Sequence, residues 1–407
     1  MSGFFYCGFC ILLNNQNISL PHMMKLLYCF CFLVFGFVAN SQKILKGVVL
    51  DENNNPLPNA SIFINTTTIG TTADEQGNFS LRIPDGRCAI IVASAGFETH
   101  SQIINAIALP DLFTVKLKTK SPKKDGYEKN GWANWGNFFQ ENFIGSTANA
   151  KDCKIKNTRA IHFYVSEEKN ELSASTDEPM IIENKAIGYN IRYYLESFVF
   201  NFQTMIFSYK GYAFFQPMQG NAEQENNWKK KRAEVYTGSM MHFMRSVYRN
   251  KIDEEGFDVR ALKKVKSIPS YQTNNTDSPD STNKNSNNAD DDYQDQIVHE
   301  DNYRDVIGTT IRGDSIAYAV NETTAGLIFK DFLLITYRQK ETPAEYQQQM
   351  AGTSMTSQLI LINKTQVEIE SNGSYFDTKD LLVLGYWTWA QKIANLLPFD
   401  YSPPKAQ

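Results

Sequence analysis

The sequence predicts an N-terminal all-β sandwich of about seven strands, followed by a larger α+β domain with an antiparallel sheet and two main helices. Three observations lead there. Between Lys43 and Leu117, short apolar runs are cut by turn formers at near-regular spacing. A polar segment with both backbone breakers, Lys120-Ser-Pro-Lys-Lys-Asp-Gly126, comes next. Beyond it, alternating aromatic runs are interrupted by one long amphipathic stretch. The chain has 407 residues, more than a single hydrophobic core usually serves.

Composition bounds the function. With 42% hydrophobic and 21% charged residues the chain has the make-up of a folded protein. The formal charge of −4 argues against nucleic-acid binding, which needs clustered excess positive charge.

Residues 1–41 read as an upstream extension and a signal peptide. Met23-Met24-Lys25 supplies a short positive start, Leu26 to Val38 is almost wholly apolar, and Ala39-Asn40-Ser41 places small residues before Gln42. The apolar run is shorter than the ~20 residues of a spanning helix, so no transmembrane helix is expected in the mature chain. Cleavage there would take the charge from −4 to −5, because it removes Lys25 and no acidic residue. It would leave Cys88 and Cys153, which either pair in an oxidising compartment or stay as buried thiols.

Residues 43–119 are the expected sandwich. Lys43 to Val49 alternates weakly and ends in the turn-rich Asp51-Glu-Asn-Asn-Asn-Pro56. Asp51, Asn53 and Asn55 have calcium-loop spacing, but Pro56 stands where that loop needs glycine, so a plain turn is expected. Ala60 to Asn65 is a β-branched run. Asp74-Glu-Gln-Gly77 turns into Phe79-Ser-Leu81-Arg-Ile83, a period-two strand stopped by Pro84-Asp-Gly86. Ala89 to Val92 is continuously apolar, as a strand covered on both faces would be. Phe113-Thr-Val115-Lys-Leu117 closes the set.

The pieces Gly47-x-Val49, Pro56-Leu-Pro58-x-Ala60-x-Ile62, Thr71-x-x-Asp74-x-x-Gly77-x-Phe79 and Ala95-Gly96-Phe97 resemble the carboxypeptidase-D regulatory-like domain. The resemblance implies a non-catalytic β-sandwich without a zinc site, of the kind found in Gram-negative envelope proteins. It therefore implies an exported protein of the periplasm, outer membrane or cell surface.

Residues 120–131 read as a linker and 132–403 as the α+β domain. Trp132, Trp135, Phe138, Phe139 and Phe143 have near-helical spacing and are expected to pack across its start. Sugar stacking by Trp132 and Trp135 is the alternative. Strands are expected at Ile161–Val165, Met180–Ile182, Ile187–Leu195 and Phe198–Phe202, with a turn at Tyr209–Tyr212. Glu223 to Lys251 reads as one helix whose stripe is Tyr236, Met240, Phe243, Met244, Val247 and Tyr248. Lys229-Lys-Lys-Arg232 near its start is a solvated helix face or a phosphate- or lipid-binding patch. Residues 267–296 are Asn, Asp, Ser and Thr with few apolar side chains, and read as a disordered insertion. Asp290-Asp-Asp292 and Asp295 within it are at most a loose cation site. Strand regions are expected at Gly326–Tyr337 and Gln358–Glu370, a turn at Asn372-Gly373, and a last helix from Gly385 through Leu397. Phe143-Ile-Gly145, Ile182-Glu-Asn184-x-Ala186-x-Gly188-Tyr189 and Gly238-Ser239-x-x-His242-Phe243 resemble exported proteins that join this sandwich to an uncharacterised α+β region. That resemblance assigns no activity.

Four of the five histidines would remain in the mature chain. His100, His162, His242 and His299 show neither His-x-x-Glu nor His-Glu-x-x-His, which argues against a zinc peptidase. Gly-x-Ser-x-Gly is absent. Ser239 with His242 reads as a capping or core-edge pair, and Cys153 with His162 has no supporting motif. Asn65, Asn78 and Asn321 head glycosylation sequons of the kind an Asn- and Thr-rich chain produces by chance. No catalytic, cofactor-binding or metal-ligating residue is assigned, and no cofactor is expected. The expected role is binding or structural, toward an unidentified envelope protein or polysaccharide. The alternative is a hydrolase of an envelope or extracellular polymer acting through residues of 132–403.

Overall fold

The structure, a computed structural model, describes residues 43–120, 126–266, 303–350, 354–362, 366–376 and 378–404. The expected leader and the 267–296 insertion lie outside them, as does most of the Lys120–Gly126 segment. From Ile44 onward the chain forms one compact unit.

Seven strands build the sandwich: β1 (Lys43–Asp51), β2 (Ser61–Ile64), β3 (Gly70–Thr72), β4 (Asn78–Ile83), β5 (Arg87–Ala93), β6 (His100–Asn105) and β7 (Phe113–Leu117). One sheet has the order β4-β1-β7 and the other β3-β2-β5-β6. β1 and β7 run parallel, from Gly47 opposite Phe113 to Asp51 opposite Leu117. Period-two patterning does the sorting, as in β4, where Phe79, Leu81 and Ile83 are buried and Ser80 and Arg82 exposed. The Asp51 carboxylate accepts from the Asn53 and Asn55 backbone N–H groups, both at 2.8 Å, and from Asn55 Nδ2 at 2.9 Å. The calcium-like spacing thus folds an ordinary turn. Those bonds, led by Asn55, hold the Asp51 carboxyl below its usual range.

The second part opens with α1 (Gly131–Phe143), then β8 (Cys153–Ile155), β9 (Ile161–Ser166), β10 (Glu171–Thr176), β11 (Met180–Asn184), β12 (Tyr189–Asn201) and β13 (Ile206–Pro217). The sheet order is β8-β11-β12-β10-β9, with β13 also on β12. The two runs expected around Leu195 are one strand, bent by a bulge between Leu195 and Ser197. The expected turn at Tyr209–Tyr212 is strand instead. The chain reverses earlier, where Asn201 Oδ1 accepts from the Gln203 and Thr204 N–H groups. An asparagine that caps its own turn out-competes the glycine at Gly211. The α1 aromatics Phe139 and Phe143 are fully buried, Phe139 against Phe198 at 4.9 Å and Phe143 against Tyr193 at 4.9 Å between ring centroids.

The single helix expected from Glu223 to Lys251 divides into α2 (Ala222–Tyr236) and α3 (Met240–Tyr248). Gly238 sits between them with φ of +77°, left-handed backbone that ends a helix. Ser239 then restarts one, its hydroxyl accepting from the His242 N–H at 3.1 Å. Two further sheets follow. β14 (Phe257–Lys266) and β15 (Tyr303–Thr310) are followed by β16 (Ala317–Ala319), β17 (Thr324–Ile328), β18 (Phe332–Tyr337), α4 (Ala344–Met350), β19 (Thr356–Leu361), β20 (Gln366–Glu370), β21 (Tyr375–Phe376) and β22 (Leu381–Gly385). Their orders are β15-β14-β18-β19-β22 and β16-β17-β20-β21. Each expected run, Gly326–Tyr337 and Gln358–Glu370, is therefore two strands belonging to different sheets. The Asn372-Gly373 turn forms as expected, with Gly373 at φ of +84°.

The last helix is shorter than its apolar pattern suggests. α5 (Tyr386–Ala390) places Trp387 and Trp389 in the core around Phe243 and Phe257. Ile393, Ala394 and Leu397 enter the other core, around Phe139 and Ile191. A continuous helix could not serve both. The chain breaks at Gln391 and Lys392, and the Asn395 amide donates to the Ala390 carbonyl at 2.8 Å, satisfying an end group of the helix.

The sandwich does not hang free. Ile90 and Val92 point into its core, while Ile91 and Phe63 face outward onto β12 and β13, against Tyr212, Tyr194 and Phe214. The β2–β3 turn docks beside β13: the Thr66 N–H donates to the Ala213 carbonyl at 2.7 Å and the Phe215 N–H to the Thr67 carbonyl at 2.9 Å. The Phe399 N–H also reaches the Thr66 carbonyl at 2.7 Å, and Thr68 bonds the Asp400 carboxylate. This is the two-sided cover implied by the continuous apolar run Ala89–Val92.

Candidate functional site

The residues singled out in the sequence are held by structural duties. Ser239 caps α3. His242 Nδ1 accepts from the Gly238 N–H at 3.1 Å, so its Nε2 carries the proton and faces Glu255 at 3.2 Å. Both ring nitrogens are occupied, and burial pushes the imidazole down to about 4. Cys88 and Cys153 are separate buried thiols, each pushed up to about 12 by desolvation. His162 pairs with Asp177 at 2.8 Å. Trp132 packs on Phe163 and Trp135 on Phe202, against the core behind α1. Arg232 donates to the Ile187 and Gly188 carbonyls and lies 4.0 Å over the Tyr189 ring, while Lys231 pairs with Glu234. Asn65 Oδ1 accepts from the Ala213 N–H at 3.1 Å, so this side chain helps join the β2–β3 turn to β13. Asp290–Asp292 and Asp295 lie outside the described residues. Among the described residues no three His, Cys, Asp or Glu side chains are grouped to hold a metal ion.

A different set of residues converges on a cavity. The break after α5, the start of α3, β13 and β21 enclose about 330 Å³, lined by Phe207, Tyr209, Met240, Tyr375, Trp387 and Leu397 among others. That volume is at the small end of ligand pockets. Among the described residues of its lining, Lys392 is the one charged side chain. Its ammonium lies 4.6 Å over the Phe207 ring, and 3.4 Å from the Glu141 carbonyl. Burial pushes this lysine down to about 8, with Glu141 opposing. Burial raises Tyr209 and Tyr375 to about 12, so both remain phenols at neutral pH.

A second chamber of about 180 Å³ shares Val235, Ser239, Gln391 and Asn395 with the first. It is polar: Thr147, Lys231, Glu234, Lys340 and Glu345 stand around it. Lys340 donates to the Glu234 carbonyl at 2.8 Å, and burial lowers it from the ordinary lysine range. Thr147 Oγ1 and Gln391 Nε2 are buried without a hydrogen-bond partner among the described residues. A buried orphan donor costs free energy unless something arrives to satisfy it.

The arrangement can hold an apolar body with a hydrogen-bond-accepting end. Among the described residues of its lining, the Ser239 hydroxyl accepts from the His242 N–H, and both His242 ring nitrogens already have partners. Sequence reading missed all of it, because β13, β21 and the α5 break are far apart in the chain. The one local signal was Lys392 itself, the sole charge in the apolar run from Gly385 to Leu397.

Comparison with known proteins bears on the sandwich. Residues 45–123 match the CarboxypepD_reg-like domain, and that part of the chain is such a domain. A stretch of 94 residues, 23% of this chain, is 28% identical to TonB-dependent receptor P3 of Formosa agariphila, of which it spans 9%. Among solved structures, a DUF3823 family protein from Bacteroides ovatus is similar over 44% of this chain and 82% of its own, at 9% identity and a TM-score of 0.16. Catechol 1,2-dioxygenase from Acinetobacter is similar over 21% of this chain and 55% of its own, at 16% identity and a TM-score of 0.17. Scores this low carry no argument about function. Among the described residues no helix is long and apolar enough to cross a membrane.

Proposed function

We propose that this is an exported cell-envelope protein that binds rather than transforms, with the sandwich as its docking module and a small-ligand pocket in the region after it. The observation that carries the reading is the cavity around Trp387, apolar inside and opening toward a chamber with unsatisfied donors. Export is supported by the Met23–Ser41 leader pattern and by the likeness of a 94-residue stretch of the chain to part of a TonB-dependent receptor. An envelope protein or polysaccharide is the partner the sandwich would dock to.

Two measurements test the reading. Fractionation of the native host should find the protein outside the cytosol, starting at Gln42. The purified mature chain should bind the neutral fluorophore N-phenyl-1-naphthylamine saturably, one to one. Thr388→Trp, which fills the exposed rim position of the pocket, should abolish that binding with little change in melting temperature. Absence of saturable binding to the unaltered chain overturns the pocket assignment.

A further inference from the structure

The reading above assigns a pocket and leaves its occupant open. Three features of the lining narrow the choice. Inside the apolar chamber, one cation, Lys392, stands among aromatic and aliphatic side chains with no acidic residue in the lining. Among the described residues no carboxylate lies within ion-pair distance of it, whereas Lys231, at the polar chamber, is paired with Glu234. The unsatisfied groups, Gln391 Nε2 and Thr147 Oγ1, can donate, and Gln391 borders both chambers. Thr147 is 8% exposed, so its hydroxyl is desolvated already.

We propose, resting on that reading, that the pocket takes a single-chain amphiphile with a carboxylate head: the hydrocarbon chain fills the chamber around Phe207, Met240 and Trp387, and the head sits on Lys392 beside the Gln391 amide. One cation with no carboxylate bonded to it, and only the Glu141 charge acting from beyond ion-pair distance, matches one negative charge. A doubly charged phosphate monoester would leave a charge unpaired in an apolar site. The chain gains from leaving water in proportion to the apolar area it buries. The head gains a charge-assisted bond to a half-buried ammonium. The groups facing Lys392 are the Glu141 carbonyl and carboxylate from α1, the Phe207 ring, and Tyr209 and Tyr375 as neutral phenols. Raising the pH above about 8 therefore strips the positive charge from the lysine before either tyrosine ionises.

The probes are decanoate and its neutral counterpart decanol, each displacing N-phenyl-1-naphthylamine from the mature chain. At pH 7 decanoate should compete. Lys392→Met should weaken decanoate about tenfold to a hundredfold more than it weakens decanol, each measured against the variant's own fluorophore affinity. Lys392→Arg should retain most of the decanoate affinity. Moving from pH 7 to pH 10 should weaken decanoate, not decanol, in the unaltered chain. Equal competition by both probes, unmoved by Lys392→Met or by pH, overturns the carboxylate assignment and leaves the pocket reading intact. If the fluorophore itself does not bind, the pocket reading falls, and this inference with it.

Discussion

The Arg87 guanidinium of the sandwich donates from Nε to the carboxylate of Glu370, 2.8 Å away on β20. Glu370 is 2% exposed. A second contact runs from Arg87 to Glu368 at 2.5 Å, and the guanidinium lies 5.1 Å over the Phe376 ring. Gly86 precedes the arginine with φ of +87°, and a Cβ there would overlap Glu370 Oε2. Charge, ring and backbone thus tie the first module to the last sheet.

Removing one partner should be worse than removing both. Arg87→Met leaves a buried carboxylate unpaired and should cost about 3 kcal/mol of unfolding free energy. The double variant Arg87→Met/Glu370→Leu should recover most of it. Urea denaturation of the unaltered chain and the two variants checks this; a double variant as unstable as the single one would show that the cost is packing, not charge.

Phe63 leaves the sandwich to stack on Tyr194 and to pack, tilted by 41°, on Phe214, each at 5.2 Å between ring centroids. It is 1% exposed. Phe63→Ala should cost about 3–5 kcal/mol. Because the ring belongs to the junction, calorimetry of the unaltered chain should show one cooperative transition, and the variant should split it or lower it as a whole. A sandwich that melts independently at an unchanged temperature would refute the junction.

His242 predicts an acid limb in the stability profile. The unfolded imidazole titrates near 6.5, roughly, and burial puts the folded one at about 4. The folded state therefore holds the neutral ring. Its contribution is complete above the unfolded value and is lost as pH falls through 6.5 and on past 4, up to about 3 kcal/mol. His242→Asn keeps an acceptor for the Gly238 N–H and does not titrate. Its loss of stability between pH 7 and pH 4 should be shallower than that of the unaltered chain, as read by denaturation at each pH.

The thiols of Cys88 and Cys153, buried and pushed up to about 12, should be silent toward a disulfide reagent at pH 8 in the folded protein. Both should react once it is unfolded in urea. Fast labelling of either under native conditions would contradict its placement.

Much of the architecture could be read from the chain because neighbouring residues carry the signal. Alternation in Phe79-Ser-Leu81-Arg-Ile83 sets one face of a strand. Asp51 and Asp74 close turns through bonds to residues two and four positions on. The unbroken run Ala89–Val92 announced a strand covered on both sides, though not by what. Where the reading erred, two demands met in one segment. The stripe from Tyr236 to Tyr248 has helical spacing on either side of a glycine that must be left-handed. Gly385 to Leu397 carries apolar side chains at both ends, Trp387 and Trp389 at one and Ile393 and Leu397 at the other, yet these serve two cores and the chain has to break between them.

That break was decided by long-range packing, and so was the pocket it creates. Lys392 bends away from helical geometry because Trp387 belongs to one core and Ile393 to the other. Phe207, Tyr375 and Met240 reach it from strands and a helix whose sequences hold no trace of one another. Local periodicity selects strands, turns and caps, since those bonds span a few residues. A cavity is the volume left over when distant surfaces meet, and only the assembled chain has it.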